Sequence, residues 1–286
     1  MKNKDLIIYY LISIGFTWIC WIPSLILVSV NNLRFFSIEN FDFFFNQGFV
    51  SPTHILVFIL MFLAPYGPFI ASIIMHYRKD GAIGVKDLFK RIIKVKANIF
   101  WYIFIFLFPI VLTLIVMIIG MITPLKVGNL SDINYSVLYL IIYFFYMMFT
   151  SGMEEPGWRG FALPELLKEY NAEKSSYILG VFWSLWHIPF LLFTSLSYGL
   201  GMILITIIGH ILLTIPAAII YTWMYNNTKS IFLCILFHTN LNFFIFLVIQ
   251  NTKDPVIGTV IAVLTWIAAA IILNIYGKKN LIREKV

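Results

Sequence analysis

Runs of about 20 apolar residues recur along this chain, and they constrain its fold more than any other feature. A helix of that length crosses the hydrocarbon core of a bilayer. Of the residues, 61% are hydrophobic and 12% are charged, against about 25% charged residues in soluble domains. The sequence therefore predicts an all-α, polytopic membrane protein with eight transmembrane helices in one bundle. The eight runs lie at residues 7–29, 53–76, 99–122, 133–153, 176–197, 201–224, 230–249 and 255–276.

The connections between these runs are short, so we expect a single membrane domain over residues 1–286. The first run begins at Leu6 and has no small-residue cleavage site after it. We therefore expect it to be a retained helix and not a signal peptide.

The basic residues are distributed very unevenly between the two sides of this predicted bundle. Seventeen of the 20 lysines and arginines fall on one side, and only Arg34, Lys126 and Lys253 fall on the other. The positive-inside rule places the basic side, with both termini, in the cytoplasm. We expect a multi-pass protein of a bacterial plasma membrane, in contact with lipids, because the Lys, Asn and Ile usage suggests an AT-rich genome. No basic patch stands apart from the membrane flanks, so nucleic acid is not an expected partner.

The stretch KDLFKRIIKVK, residues 86–96, carries much of this positive charge. Its apolar residues share one helical face and its lysines lie near the other, which is typical of a helix lying in the membrane interface. A basic loop that sets the topology is also sufficient to account for it, and we favour the loop.

Several classes of intramembrane protease are excluded by the polar residues. All six aspartates fall in loops or at the ends of runs, so a buried pair of catalytic aspartates is not available. The H-E-x-x-H motif of many zinc proteases is absent, and so is the G-x-S-x-G motif of a nucleophilic serine.

An acidic and basic cluster ends the fourth run. Glu155 and Arg159 are four residues apart with the acid first, which is the favourable order for an ion pair on a helix. Glu154 points about 100° away and has no local counter-ion, so it is the better candidate for a general base. Pro156 and Gly157 should kink or restart the helix there.

Histidines lie inside three of the later runs. His238 and Asn242 in run seven are four residues apart, so they project from one helical face. His187 lies in run five, and we expect it to meet His238 and Glu154 in the cytoplasmic half of the bundle. We interpret His210 in run six as an interhelical hydrogen-bonding residue.

Three motifs on successive runs resemble those of the CPBP family, the CAAX proteases and bacteriocin-processing enzymes also called the Abi family. The motifs are Glu154-Glu155-Pro-Gly-Trp-Arg159, Trp183-Ser-Leu-Trp-His187 and His238-Thr-Asn-Leu-Asn242. The resemblance covers about residues 130–250, the expected catalytic core. One position departs from the family, because phenylalanine is usual four residues before the second-motif histidine and Trp183 stands there here. We expect the aromatic packing to survive.

The resemblance implies a glutamate-dependent intramembrane endopeptidase. Glu154 and His187 would activate water, and His238 and Asn242 would stabilise the oxyanion of the intermediate. Glu155 and Arg159 would hold the site together. Two histidines and a glutamate can also ligate zinc, and spacing alone leaves open whether a metal takes part.

The substrate stays open at this point. Eukaryotic relatives trim prenylated C-terminal tripeptides, whereas bacterial relatives are linked to peptide maturation and to self-protection against bacteriocins. We favour a small membrane-associated peptide or protein as the substrate. One alternative is a non-catalytic immunity or binding protein on the same scaffold. Another is a proton-coupled transporter, although the hydropathy shows no two-fold repeat.

The uneven charge distribution yields a test of topology. We expect reporter fusions at the N-terminus and at the C-terminus both to report a cytoplasmic location, because basic flanks are retained on that side. A reporter signal from the opposite side at either end would contradict the eight-helix arrangement.

Overall fold

The protein is all helical in the part of the chain that its structure, a computed structural model, describes. That part comprises residues 4–37, 40–125, 127, 135–249 and 256–282. The α-helices are α1 (Lys4–Asn31), α2 (Phe41–Gln47), α3 (Pro52–Leu63), α4 (Gly67–Ile92), α5 (Ile99–Ile122), α6 (Val137–Phe149), α7 (Glu155–Gly157), α8 (Leu163–Leu166), α9 (Ala172–Trp186), α10 (Ile188–Ser195), α11 (Leu200–Thr228), α12 (Ile231–Ile249) and α13 (Val256–Tyr276).

Six helical segments within the described residues are long and apolar enough to cross a membrane. They are Lys4–Asn31, Pro52–Ile92, Ile99–Ile122, Val137–Leu166, Leu200–Thr228 and Val256–Tyr276. A seventh crossing results if α9 and α10, which are bent by 54° at a break, count as one span. The apolar segment Ile231–Leu247 is shorter than these. A multi-pass, all-α membrane protein is confirmed, whereas the predicted number of eight spans is not.

The fourth predicted run continues further than its composition indicated. It was expected to end at residue 153, but the helical path runs on to Leu166. Helix α6 breaks at Thr150, and a 3₁₀ turn over Ser151–Glu154 leads into α7, a π-helix over Trp158–Ala162, and α8. Glu154 therefore lies within a membrane segment and not at its end. The segment tolerates its charges because they are paired inside the protein.

Helix α4 reverses its direction at Gly81. That glycine has φ 60° and ψ −149°, a backbone conformation that is strained for any residue with a side chain. The two arms, residues 67–80 and 82–92, then pack together, and the rings of Phe69 and Phe89 lie 6.0 Å apart. Leu88 of the second arm is completely buried. The first part of the basic stretch 86–96 is thus a helix packed into the bundle, not the loop that we favoured.

The motif-bearing segment lies directly against both arms of α4. A Cβ atom on Gly157 would overlap the backbone of Pro68. A Cβ atom on Gly160 would lie 2.7 Å from Leu88 Cδ1. Only glycine permits so close an approach to the Pro68 backbone, so Gly157 sets how deeply the segment sits against α4.

Both described ends of the chain lie at one end of the bundle. Lys79 lies 3.4 Å from Asp5 in α1 and 2.8 Å from Glu165. After α13, the Lys279 carbonyl accepts a hydrogen bond from the Ala172 backbone at 2.8 Å, and Lys278 pairs with Glu173 at 3.0 Å. Residues 1–3 and 283–286, with Lys126 and Lys253, lie outside the described residues. The cytoplasmic orientation of this end stays a prediction.

Candidate active site

Glu154 is buried at the end of the 3₁₀ turn, and two tryptophans hold one of its oxygens. Glu154 Oε2 accepts hydrogen bonds from Trp158 Nε1 at 3.3 Å and from Trp183 Nε1 at 2.8 Å. Trp158 comes from the next helical turn and Trp183 from α9. Within the described part of the chain both hydrogen bonds of this carboxylate go to Oε2, so Oε1 can accept from a ligand or a water molecule.

Trp183 therefore contributes more than the packing that the sequence indicated. An indole has an N–H donor, which the phenylalanine usual at this position lacks. The side chain spans the site, because its N–H binds Glu154 while its ring lies 5.5 Å from the ring of His238. The signal was present in the sequence, since a tryptophan replaces phenylalanine at a motif position.

Glu155 and Arg159 form the pair that their spacing indicated. Arg159 NH1 lies 3.2 Å from Glu155 Oε2, and both side chains are completely buried. The guanidinium also lies over the rings of Tyr221, at 4.2 Å, and Trp183, at 5.1 Å. Cation–π attraction is strongest for a desolvated cation, so the two ring faces stabilise this buried charge.

Glu155 has a second partner that the sequence analysis did not anticipate. His238 Nδ1 lies 2.9 Å from Glu155 Oε1. A carboxylate accepts, so Nδ1 carries the proton and donates it to this contact. The two residues are 83 positions apart, and no local spacing could have revealed the contact. The first and third motifs are thereby joined through one carboxylate.

His187 lies at the break between α9 and α10. Its Nδ1 lies 2.9 Å from the Trp183 carbonyl oxygen, so Nδ1 donates and the lone pair of the neutral ring is on Nε2. Pro189, the second residue of α10, suits the start of a new helix. The structure places Trp183, Glu154 and His238 in one connected group, and His187 joins it through the Trp183 backbone.

His210 packs against this second motif. Its Nδ1 lies 3.0 Å from Ser184 Oγ, and its ring is 4.7 Å from the ring of His187. The interhelical contact expected for His210 is therefore present between α11 and α9. The sequence did not show that the contact is made beside a motif histidine.

Asn242 lies one turn beyond His238 on α12 and is half-buried. The neighbouring Asn240 is buried, and its amide donates to the Leu236 carbonyl at 2.9 Å. The spacing of four therefore keeps Asn242, and not Asn240, on the face of α12 that carries His238.

No three His, Cys, Asp or Glu side chains converge as metal ligands within the described part of the chain. His238 Nδ1 is committed to Glu155 and His187 Nδ1 to a backbone carbonyl. The zinc alternative has no ready set of ligands here, and no step proposed below uses a metal.

The burial of the Glu155–Arg159 pair yields a prediction about stability. Arg159→Ala should lower the free energy of unfolding by about 3–5 kcal/mol, because it leaves a carboxylate buried without its cation. The matched control is Arg78→Ala, which removes an exposed arginine 3.9 Å from Asp5 and should change stability by less than about 1 kcal/mol. Unfolding in detergent and protein accumulation measure both. Equal stability of the two variants would contradict the role assigned to the pair.

Comparisons with known proteins agree with this arrangement. Residues 136–244 match the family model described as type II CAAX prenyl endopeptidase Rce1-like. The chain is also 41% identical over 141 residues to CAAX prenyl protease 2 of Methanococcus maripaludis. That alignment covers 47% of this chain and 49% of the relative, so the chain spans about half the length of the curated relative it matches.

The family match includes all three motifs and lies within the expected core at residues 130–250. The helices that position Glu154, His187 and His238 are those of the matched segment. The resemblance predicted from the motifs is thus confirmed over residues 136–244, which match the Rce1-like family model.

Proposed function

We propose that this protein is an intramembrane endopeptidase that hydrolyses a peptide bond of a small membrane-associated or C-terminal peptide. The observation that carries the proposal is the environment of Glu154. Its carboxylate is buried in a membrane segment, two indole N–H groups hold Oε2, and the neighbouring acid has taken the available cation. A carboxylate held in this way is free to exchange a proton at Oε1.

Glu154 would act as the general base. Oε1 takes a proton from a water molecule as the water oxygen attacks the scissile carbonyl carbon. The tetrahedral intermediate then collapses, the carbon–nitrogen bond breaks, and Glu154 returns the proton to the leaving amine. His187 would help to orient the water, since Nε2 of its neutral ring is an acceptor.

His238 and Asn242 would stabilise the oxyanion. Asn242 donates from its amide. His238 already donates from Nδ1 to Glu155, so it can donate from Nε2 only when the ring carries both protons. A charge-assisted hydrogen bond from that doubly protonated ring to the Glu155 carboxylate would hold His238 in place during the reaction.

The substrate class follows from the setting of the site. The relative is named a CAAX prenyl protease, and that name supports action near a C-terminus at a membrane. A role in peptide maturation or in self-protection against a bacteriocin fits the same chemistry. A non-catalytic binding protein on this scaffold is the competing outcome of the tests below.

Substitution of the four expected catalytic residues separates chemistry from binding. Glu154→Gln and His187→Ala should abolish cleavage while the protein still accumulates. His238→Ala and Asn242→Ala should lower kcat by about 10²–10³ each, the loss typical of one oxyanion donor. Purified protein in nanodiscs, incubated with membrane-peptide libraries, would show the product ends by mass spectrometry.

Asn240→Ala is the matched control for Asn242→Ala, because Asn240 is a buried amide on the same helix whose contact is with its own backbone. It should retain activity. Cleavage that persists in Glu154→Gln would contradict the mechanism. Activity lost with a chelator and restored by zinc would instead indicate that these side chains bind a metal. Absence of cleavage, with a phenotype that survives all four substitutions, would favour a binding protein.

Trp183→Phe tests the contact that this chain adds to the family pattern. Phenylalanine keeps the ring but removes the N–H bond to Glu154 Oε2. We expect kcat to fall by about tenfold, the effect of losing one hydrogen bond to a charged group, with the protein still folded. Peptide cleavage rates and thermal unfolding measure the two properties. Wild-type kcat in Trp183→Phe would show that the indole N–H does not assist Glu154.

A further inference from the structure

We propose that Arg91 is a positioning residue for the segment that carries Glu154, Glu155 and Arg159. It supplies a hydrogen bond to the Gly160 carbonyl in place of the one that Pro164 removes. The proposal rests on the proposed function only for its kinetic readout, since the positioning itself can be measured without cleavage.

The sequence removes the donor that the Gly160 carbonyl would have in a regular α-helix. In an α-helix the carbonyl of residue i accepts from the N–H of residue i+4, and for Gly160 that residue is Pro164. Proline has no N–H. Gly160 is buried, and a buried carbonyl without a partner is costly. The backbone adopts a π-helix over Trp158–Ala162 at this point.

Arg91 provides that donor from the folded-back arm of α4. Its NH1 donates to the Gly160 oxygen at 3.0 Å and to Tyr225 Oη at 2.9 Å. Its NH2 lies 2.9 Å from His76 Nε2, and its Nε lies 3.1 Å from Asp87 Oδ2. The planar guanidinium is therefore held by both arms of α4 and by α11 while it reaches the motif segment.

Arg91 acts at the position where the segment must be aligned. Gly160 directly follows Arg159, whose guanidinium binds Glu155. Leu88, about one turn before Arg91, packs against Gly160, where an added Cβ atom would lie 2.7 Å from Leu88 Cδ1. A misplacement of about 1 Å in a catalytic group can cost about 10²-fold in rate. A fixed Gly160 carbonyl thus fixes the register of the ion pair and, through it, of His238.

The fork of the arginine is required for this set of contacts. A lysine carries the same charge but is a point donor on a flexible stem, and it cannot make the same directed contacts at once. For most of the basic stretch positive charge alone is enough to set the topology, whereas Arg91 also requires the planar shape of its guanidinium. This distinguishes Arg91 from the exposed Lys90 beside it.

A double-mutant cycle between Arg91 and Pro164 tests the proposal. Arg91→Ala should lower kcat by about tenfold with little change in KM, and should speed amide hydrogen exchange over residues 158–166. Pro164→Ala should be close to wild type. In the double variant the new N–H at position 164 can satisfy Gly160, so most of the lost kcat and protection should return. A role for Arg91 through its charge or its other contacts predicts no such recovery.

Arg78→Ala and Arg91→Lys are the control variants for this test. Arg78→Ala, an exposed arginine in the other arm of α4, should leave exchange over residues 158–166 unchanged. If Arg91→Ala does not accumulate, Arg91→Lys replaces it in the cycle and should show the same loss and recovery. If the wild type cleaves no peptide, the proposed function fails but exchange still decides the positioning role. Additive effects on exchange, or unchanged exchange in Arg91→Ala, would overturn the proposal.

Discussion

The rest of this site depends on the contacts that the Glu155 carboxylate makes. It is completely buried, and it binds Arg159 on its own helical path and His238 on α12. Removing Arg159 would leave an uncompensated charge in a membrane interior, where such a charge is costly. The contact between Glu155 and His238 therefore fixes the distance between two helical segments that carry different motifs. Because Arg159 pairs with Glu155, the adjacent acid Glu154 lies outside the ion pair.

The irregular backbone from Thr150 to Ala162 serves this arrangement. In a regular helix the side chains of Glu154 and Glu155 would project about 100° apart. The turn that carries them would then lie at the membrane surface, where the fourth run was predicted to end. The 3₁₀ turn and the π-helix instead carry both acids inside the bundle, each with its own partners. Irregular backbone is tolerated at membrane depth only where protein buries it. Here the two arms of α4 provide that burial at Gly157 and Gly160.

The elements whose signal is local could be predicted from the sequence. The apolar runs predicted a helical membrane protein, and the spacing of four predicted the Glu155–Arg159 contact. The prediction from the sequence was wrong about the end of the fourth run, because apolar composition cannot register a charge that is paired inside the protein. It also missed the reversal of α4, since nothing in the stretch 86–96 distinguishes an arm buried against Gly160 from a basic loop.

The motif order alone indicated which family this core resembles and which side chains carry its polarity, because both depend on residue type and spacing along a helix. Only the tertiary structure decided what those side chains touch. His238 binds Glu155, the Trp183 indole binds Glu154, and Arg91 binds the Gly160 carbonyl. Each of these contacts joins residues at least 29 positions apart. Such partners are chosen by how the helices pack, and packing is a property of the whole bundle and not of any one segment.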